Sequence, residues 1–334
     1  MKKSHVVLAS LTLALVALVT ACAAPEPKSA APRLSALPPV TAPADNPITP
    51  EKVALGKQLF FDTRLSGSGK MACENCHYRD KGWAVPEALS KRDDGKTNTR
   101  HTPTLYNVAF LTLWYWDGRA ATMEAQTLAA WRNQMGADPV QIAERLNAVP
   151  AYKAAFNKVY GSDANQDNIV KSFTTYLRTL NSGDSPWDRH EKGASSAVSA
   201  EAKAGFNLFM GKGRCAVCHT PPVYMNNDFH NIGLEAGKAT PDQGRGAISK
   251  KPEDASAFKT PTLRSVALSA PYFHDGSAAT LEEAVRYMAS GGKADPNKSP
   301  LLVATGMTDP EIRQVVEFLK ALTSDEPLLR PVLP

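Results

Sequence analysis

Apolar residues along this chain recur mostly at three- and four-residue intervals, the spacing that gives a helix one apolar face. Thr49-Pro50-Glu51 opens one such stretch, with Pro at the first helical position and Val53, Leu59 and Phe60 behind it. The same spacing runs through residues 142–146, 169–180 and 202–209. Thr280 and Glu283 form a capping box ahead of a helix that puts Leu281, Ala284, Val285 and Met288 on one face. Thr308-Asp309-Pro310-Glu311 starts a last helix, with Ile312, Val315, Val316, Leu319 and Leu322 inward. Strand-like alternation is scarce, so the expected fold class is all-α.

The N-terminus follows a different pattern. Residues 6–19 are an apolar run behind Lys2 and Lys3, ending in Val19-Thr20-Ala21-Cys22. This reads as a secretory signal with a small-residue cleavage site, too short for a comfortable membrane span. Cys22 resembles the lipidated cysteine of a bacterial lipobox, which would make residues 1–22 a lipoprotein signal and anchor the mature chain to a membrane. The alternative is an ordinary signal in which Cys22 has no role. Ala23 in place of an acidic residue resembles sorting to the outer membrane. Residues 23–48 are rich in Ala and Pro and are expected to form a disordered tether. The expected location is therefore the periplasm. The formal charge of +5 is too mild to argue for nucleic acid.

Of the five cysteines, four fall in two pentads, Cys73-Glu74-Asn75-Cys76-His77 and Cys215-Ala216-Val217-Cys218-His219. Each reads as a haem c attachment site: the thiols form thioethers to the porphyrin and the His becomes the proximal iron ligand. Structural zinc or a dithiol redox pair would not require a His after both second cysteines. The pentads belong to a duplicated unit. Leu55-Gly56-Lys57-Gln58-Leu59-Phe60 precedes the first and Ala204-Gly205-Phe206-Asn207-Leu208-Phe209 the second. Thr102-Pro103-Thr104-Leu105 matches Thr260-Pro261-Thr262-Leu263, and the match continues without a gap to Trp116-Asp117-Gly118-Arg119-Ala120-Ala121-Thr122 and His274-Asp275-Gly276-Ser277-Ala278-Ala279-Thr280. About half of these positions are identical. The expectation is two cytochrome c-like haem domains, residues 49–190 and 191–334, joined between 181 and 199.

The repeat also exposes a difference. Met288 lies on the inward face of its helix, where it could ligate iron or simply pack. The same offset in the first unit lands on Ala130, which has no ligand atom. One haem is thus expected to be closed by Met288 and the other to be open. Met210, Met225 and Met307 compete for the ligand role.

Paired pentads, Trp116-Asp117-Gly118-Arg119, Ala270-Pro271-Tyr272-Phe273-His274 and the position of Met288 together resemble the bacterial dihaem cytochrome c peroxidases, a family that includes MauG-type enzymes. The resemblance covers nearly everything after the tether. It implies a peroxidatic N-terminal haem and a high-potential C-terminal haem that receives electrons from a periplasmic cytochrome c or cupredoxin. It also implies hydrogen peroxide as substrate, Trp116 between the haems, Met288 as axial ligand and, in many relatives, a homodimer. Gln126 matches a family Gln, while the family Glu falls nearest Gln134, and an amide is no general acid at neutral pH. Glu124 is expected to face solvent. No His follows the first pentad before Thr99. His101, which matches a family calcium-binding Asn, is either a surface or interface residue or an axial ligand. An imidazole is a poor calcium ligand, so the family's calcium, with carbonyls matching Ser269 and Pro271, is in doubt. His274 is expected near the domain interface or a haem propionate, and His230 to be a hydrogen-bonded structural residue. Two rivals to the peroxidase stay open: a MauG-like enzyme oxidising residues of a partner protein, and a dihaem electron carrier.

Overall fold

The computed structural model describes residues 37–325 and 329–334. The signal, with Cys22, and the first part of the tether lie outside them. The described chain is helical, with very little sheet. In order come α1 (Pro50–Phe60), α2 (Met123–Asn133), α3 (Pro139–Asn147), α4 (Pro150–Tyr160), α5 (Gln166–Leu177), α6 (Pro186–Glu191), α7 (Ala200–Met210), the strand β1 (Phe229–His230), α8 (Gly246–Ser249), the strand β2 (Phe258–Lys259), α9 (Leu281–Ala289) and α10 (Asp309–Ala321). The two strands form one antiparallel ribbon, pairing Phe229 with Lys259 and His230 with Phe258. No described helix is long and apolar enough to cross a membrane.

Two hydrophobic clusters form, one per repeat. The first gathers Leu59, Trp83, Leu146, Phe156 and Phe173. The second gathers Phe209, Tyr224, Val315 and Phe318, with Trp187 of α6. Each is built on a pair of helices held close by one glycine. A Cβ on Gly56 of α1 would strike the Ser172 carbonyl of α5, and a Cβ on Gly205 of α7 the Gln314 carbonyl of α10. These positions are equivalent in the repeat, so the close approach is duplicated together with the sequence. The caps are duplicated too: the Thr122 and Thr280 side chains accept from the N–H three residues on, starting α2 and α9.

The halves meet through reciprocal hydrogen bonds. The His101 N–H donates to the His274 carbonyl (2.7 Å), and the Lys259 N–H donates to the Trp116 carbonyl (2.9 Å). In the repeat, 101 corresponds to 259 and 116 to 274, so the two bonds are the same bond made twice. Charged groups surround them. Arg100 bridges Asp117 and Asp242 (both 2.7 Å), and His274 Nε2 donates to Glu235 (2.8 Å). The connecting segment runs through this joint. The Ser182 and Ser265 hydroxyls lie 2.7 Å apart, and buried Arg264 pairs with Asp188 of α6 (2.8 Å).

Two expectations need correction. The end of the stretch expected to be a disordered tether is pinned to the body at Asn46, which is 1 % exposed and whose amide donates to Thr174 and to the Lys171 carbonyl. Glu124 does not simply face solvent. It is bridged by Arg178, the C-cap of α5 (2.8 Å), and accepts from Thr174, because α2 packs across α5 and turns that carboxylate toward it.

Candidate functional site

Each pentad forms a short 3₁₀ turn, Cys73–Asn75 and Cys215–Val217, in which the His N–H donates back to the first Cys carbonyl (3.0 and 2.9 Å). That turn puts both sulfurs and the imidazole on one cavity wall. The first cavity, of about 590 Å³, is lined by Cys73, Cys76 and His77; the second, of about 220 Å³, by Cys215, Cys218 and His219. Each imidazole is oriented from behind. His77 Nδ1 donates to the Trp83 carbonyl (2.8 Å), and His219 Nδ1 lies 3.1 Å from the Tyr224 and Pro261 carbonyls. Trp83 and Tyr224 both adopt positive φ, the backbone conformation that turns these carbonyls onto the rings. Nε2 of each His is left as a free lone pair, the orientation used by metal-binding histidines. Burial pulls both imidazoles down to about 4, so both are neutral at physiological pH. Burial also pushes the Cys73 and Cys215 thiols up to about 12.

These cavities fit haem c on three counts: the thiol pair, the oriented imidazole and the charge of the walls. Among the described residues, neither lining contains an Asp or Glu. Arg92, Arg100, Arg119 and Lys259 line the first cavity, and Arg214 and Lys259 the second. A macrocycle with two carboxylates suits such walls; a bare cation does not.

Opposite the pentads stand the duplicated helices α2 and α9. Leu281, Ala284, Val285 and Met288 all line the second cavity. Tyr287 lies off that wall, its hydroxyl donating to the Ile232 carbonyl (2.8 Å). Met307 shares the cavity but sits beside the Cys215 sulfur, near Gly213. Met210 is exposed and Met225 lines the first cavity. Gln126 and Ala130 of α2 and Gln134, which caps its C-terminus, fall at four-residue intervals and line the first cavity. Trp116 lines both cavities, its indole N–H donating to the His101 carbonyl (2.9 Å).

His101 is not a surface residue. It is 4 % exposed, lines the first cavity at the joint, and its Nδ1 lies 3.1 Å from the Ala88 carbonyl. His230 lines the second cavity, with Nδ1 on the Ser299 hydroxyl (3.1 Å). Among the described residues, one group has metal-like spacing, Glu235, His274 and Asp275. Lys238 bridges both of its carboxylates (2.7 and 3.0 Å), so an ammonium already stands where a cation would bind. In the sequence Tyr115 stands in an aromatic cluster with Trp114, Trp116 and Trp131, which could carry holes or simply pack. In the structure it lines the first cavity, with the Arg119 guanidinium 3.5 Å above its ring and its hydroxyl donating to the Gln126 carbonyl (3.3 Å). Sequence reasoning missed Lys259, whose only signal was the position just before the second Thr-Pro-Thr-Leu.

Known proteins agree with this geometry. Residues 50–196 match the family model described as di-haem cytochrome c peroxidase. A cytochrome-c peroxidase IdrP1 from Denitromonas iodatirespirans is 36 % identical over 365 residues, covering 99 % of this chain and 97 % of the relative. The methylamine utilization protein MauG of Methylorubrum extorquens is 39 % identical over 298 residues, covering 85 % and 81 %. Among solved structures, a MauG-like protein associated with microbial copper homeostasis superposes with a TM-score of 0.81 at 28 % identity, covering 86 % of this chain and 94 % of that one. The chain is an oxidoreductase belonging to the di-haem cytochrome c peroxidase family, whose members include both peroxidases and MauG.

Proposed function

We propose that the protein is a dihaem c-type peroxidase that reduces hydrogen peroxide to water with electrons from a small periplasmic redox protein, a cytochrome c or a cupredoxin. The observation that carries this reading is the inequality at one repeated position: Met288 lines the second cavity where Ala130 lines the first. A haem in the first site would supply an iron open to a small oxidant, and one in the second an iron sealed by a thioether, the ligand that raises potential and suits electron transfer. The chain's own groups divide the remaining work. The Trp83 and Tyr224 carbonyls hold the proximal rings. Gln126 and Gln134 offer amide hydrogen bonds toward the first cavity. Trp116 spans the partition. With no carboxylate on that wall, the Tyr115 hydroxyl is the proton-bearing group beside Gln126. Two electrons and two protons then convert one peroxide into two waters.

A second reading, oxidation of residues in a partner protein, draws support from the similarity to MauG. The engagement of Tyr287 with the Ile232 carbonyl and the Met at 288 favour the first. One experiment separates them: ultraviolet–visible and EPR spectra of the oxidised and half-reduced holoprotein, followed by peroxide with and without a reduced cytochrome. A high-spin signal with rapid donor oxidation supports the peroxidase. A long-lived oxidised protein that consumes little donor favours partner modification. Two low-spin centres indifferent to peroxide would leave only an electron carrier.

We also infer export and lipid anchoring at Cys22 in the outer membrane, supported by the signal pattern and by the pentads, whose haem attachment belongs outside the cytoplasm. Cys22→Ser should release the protein from membrane fractions; retention would refute the anchor.

A further inference from the structure

Lys259 is 7 % exposed and lines both cavities. Its backbone is fixed by the bond to the Trp116 carbonyl and by pairing with Phe229. An ammonium carries three donors, and among the described residues only one is engaged: Nζ donates to the Leu113 carbonyl (2.6 Å). No carboxylate among them pairs with it. The acid whose charge reaches it, Asp117, is already bridged by Arg100 and Arg119. Burial pulls the ammonium down to about 7. A buried cation without a counter-ion is costly, and structures pair such groups or neutralise them.

An anion held in one of the two cavities that Lys259 lines would keep the ammonium charged. The first cavity has three arginines on its wall; the second has only Arg214 besides Lys259. The need for a cation is therefore greater in the second. We propose that Lys259 is the counter-ion of a propionate of the haem in the second cavity. This rests on reading that cavity as a haem site. The ammonium is thereby fixed on the partition beside Trp116, where its charge favours the reduced form of the second haem and raises its potential above that of a neutral site.

The test uses the holoprotein. Pyridine haemochrome analysis first counts the haems: fewer than two per chain would overturn the site reading itself. With two present, spectroelectrochemical titration compares Lys259→Met, Lys259→Arg and the parent. The expected result is a lower potential in Lys259→Met, larger for the second haem than for the first, and recovery in Lys259→Arg. An unchanged second potential, or a shift confined to the first haem, would overturn the proposal. If Lys259→Met does not fold, an experimental structure of the parent holoprotein decides. Nζ should lie about 2.8 Å from a propionate oxygen of the second haem; a separation beyond about 4 Å from both propionates refutes the pairing.

Discussion

At the scale of single residues, the chemistry rests on what a few side chains lack. Ala130 has no ligand atom, and Gln134 has no proton to give. Met288→Ala should open the second centre: its potential should fall, and turnover with a reduced cytochrome should drop at least about tenfold, since a sulfur ligand to haem raises potential. Redox titration with steady-state kinetics reads both. Tyr115→Phe keeps the ring under Arg119 and removes only the hydroxyl. If that hydroxyl delivers a proton, peroxide consumption should slow by about 10²-fold or more with both haem spectra intact; a rate within about twofold of the parent would dismiss the assignment. The pentads, their histidines, Trp116 and Met288 stand out because fixed spacing and repetition leave strict patterns. Lys259 does not. A lysine in sequence carries no sign of burial, and only the ribbon β1–β2 reveals that this one has been folded inward.

The elements were legible where apolar spacing and caps agreed. The starts of α1, α9 and α10 follow from Thr49, Thr280 and Thr308, all of which cap as expected. The apolar spacing of Ile169, Phe173 and Leu177 likewise gives the position of α5. By contrast α4 was passed over, although Pro150 opens it and Gly161 closes it in a left-handed conformation, because Tyr152 and Phe156 alone make a thin stripe. The short helix α6 lies in the segment that joins the two units and has no apolar periodicity. Half of its residues are charged, and what holds it is the tertiary packing of Trp187 on Phe206 and Phe318. The glycine crossings lead to a prediction. Gly205→Val forces α7 away from α10 and should destabilise the second half by about 2–4 kcal/mol. Chemical denaturation of the holoprotein followed by circular dichroism measures it. The loss should be several times smaller for a glycine facing open space, such as Gly237, substituted by Asn, which tolerates its positive φ.

On the scale of the whole molecule, the joint between the halves concentrates ion pairs and should respond to acid. Burial alone would raise the carboxyls of Asp117, Asp242, Glu235 and Asp275, but hydrogen bonds and charge from Arg100, Lys238 and His274 outweigh it and hold them below their ordinary values. A depressed carboxylate stabilises the fold above its unfolded pKa of about 4 and loses that contribution as pH falls through the folded value. Burial lowers His274 despite Glu235. Its unfolded form therefore takes up a proton first, and stability begins to decline below about pH 6.5. The holoprotein's melting temperature should be flat from pH 8 to 7, fall gently below 6.5, and fall steeply below 4. Scanning calorimetry across that range checks the order of the two phases.

The paired bonds from 101 to 274 and from 259 to 116 are what two identical subunits make about a dyad, where residue i meets j and j meets i. Here one polypeptide supplies both partners, so the encounter is intramolecular and its effective concentration is set by a short peptide instead of by expression level. Dilution, which dissociates ordinary weak dimers, leaves this internal pseudo-dimer whole.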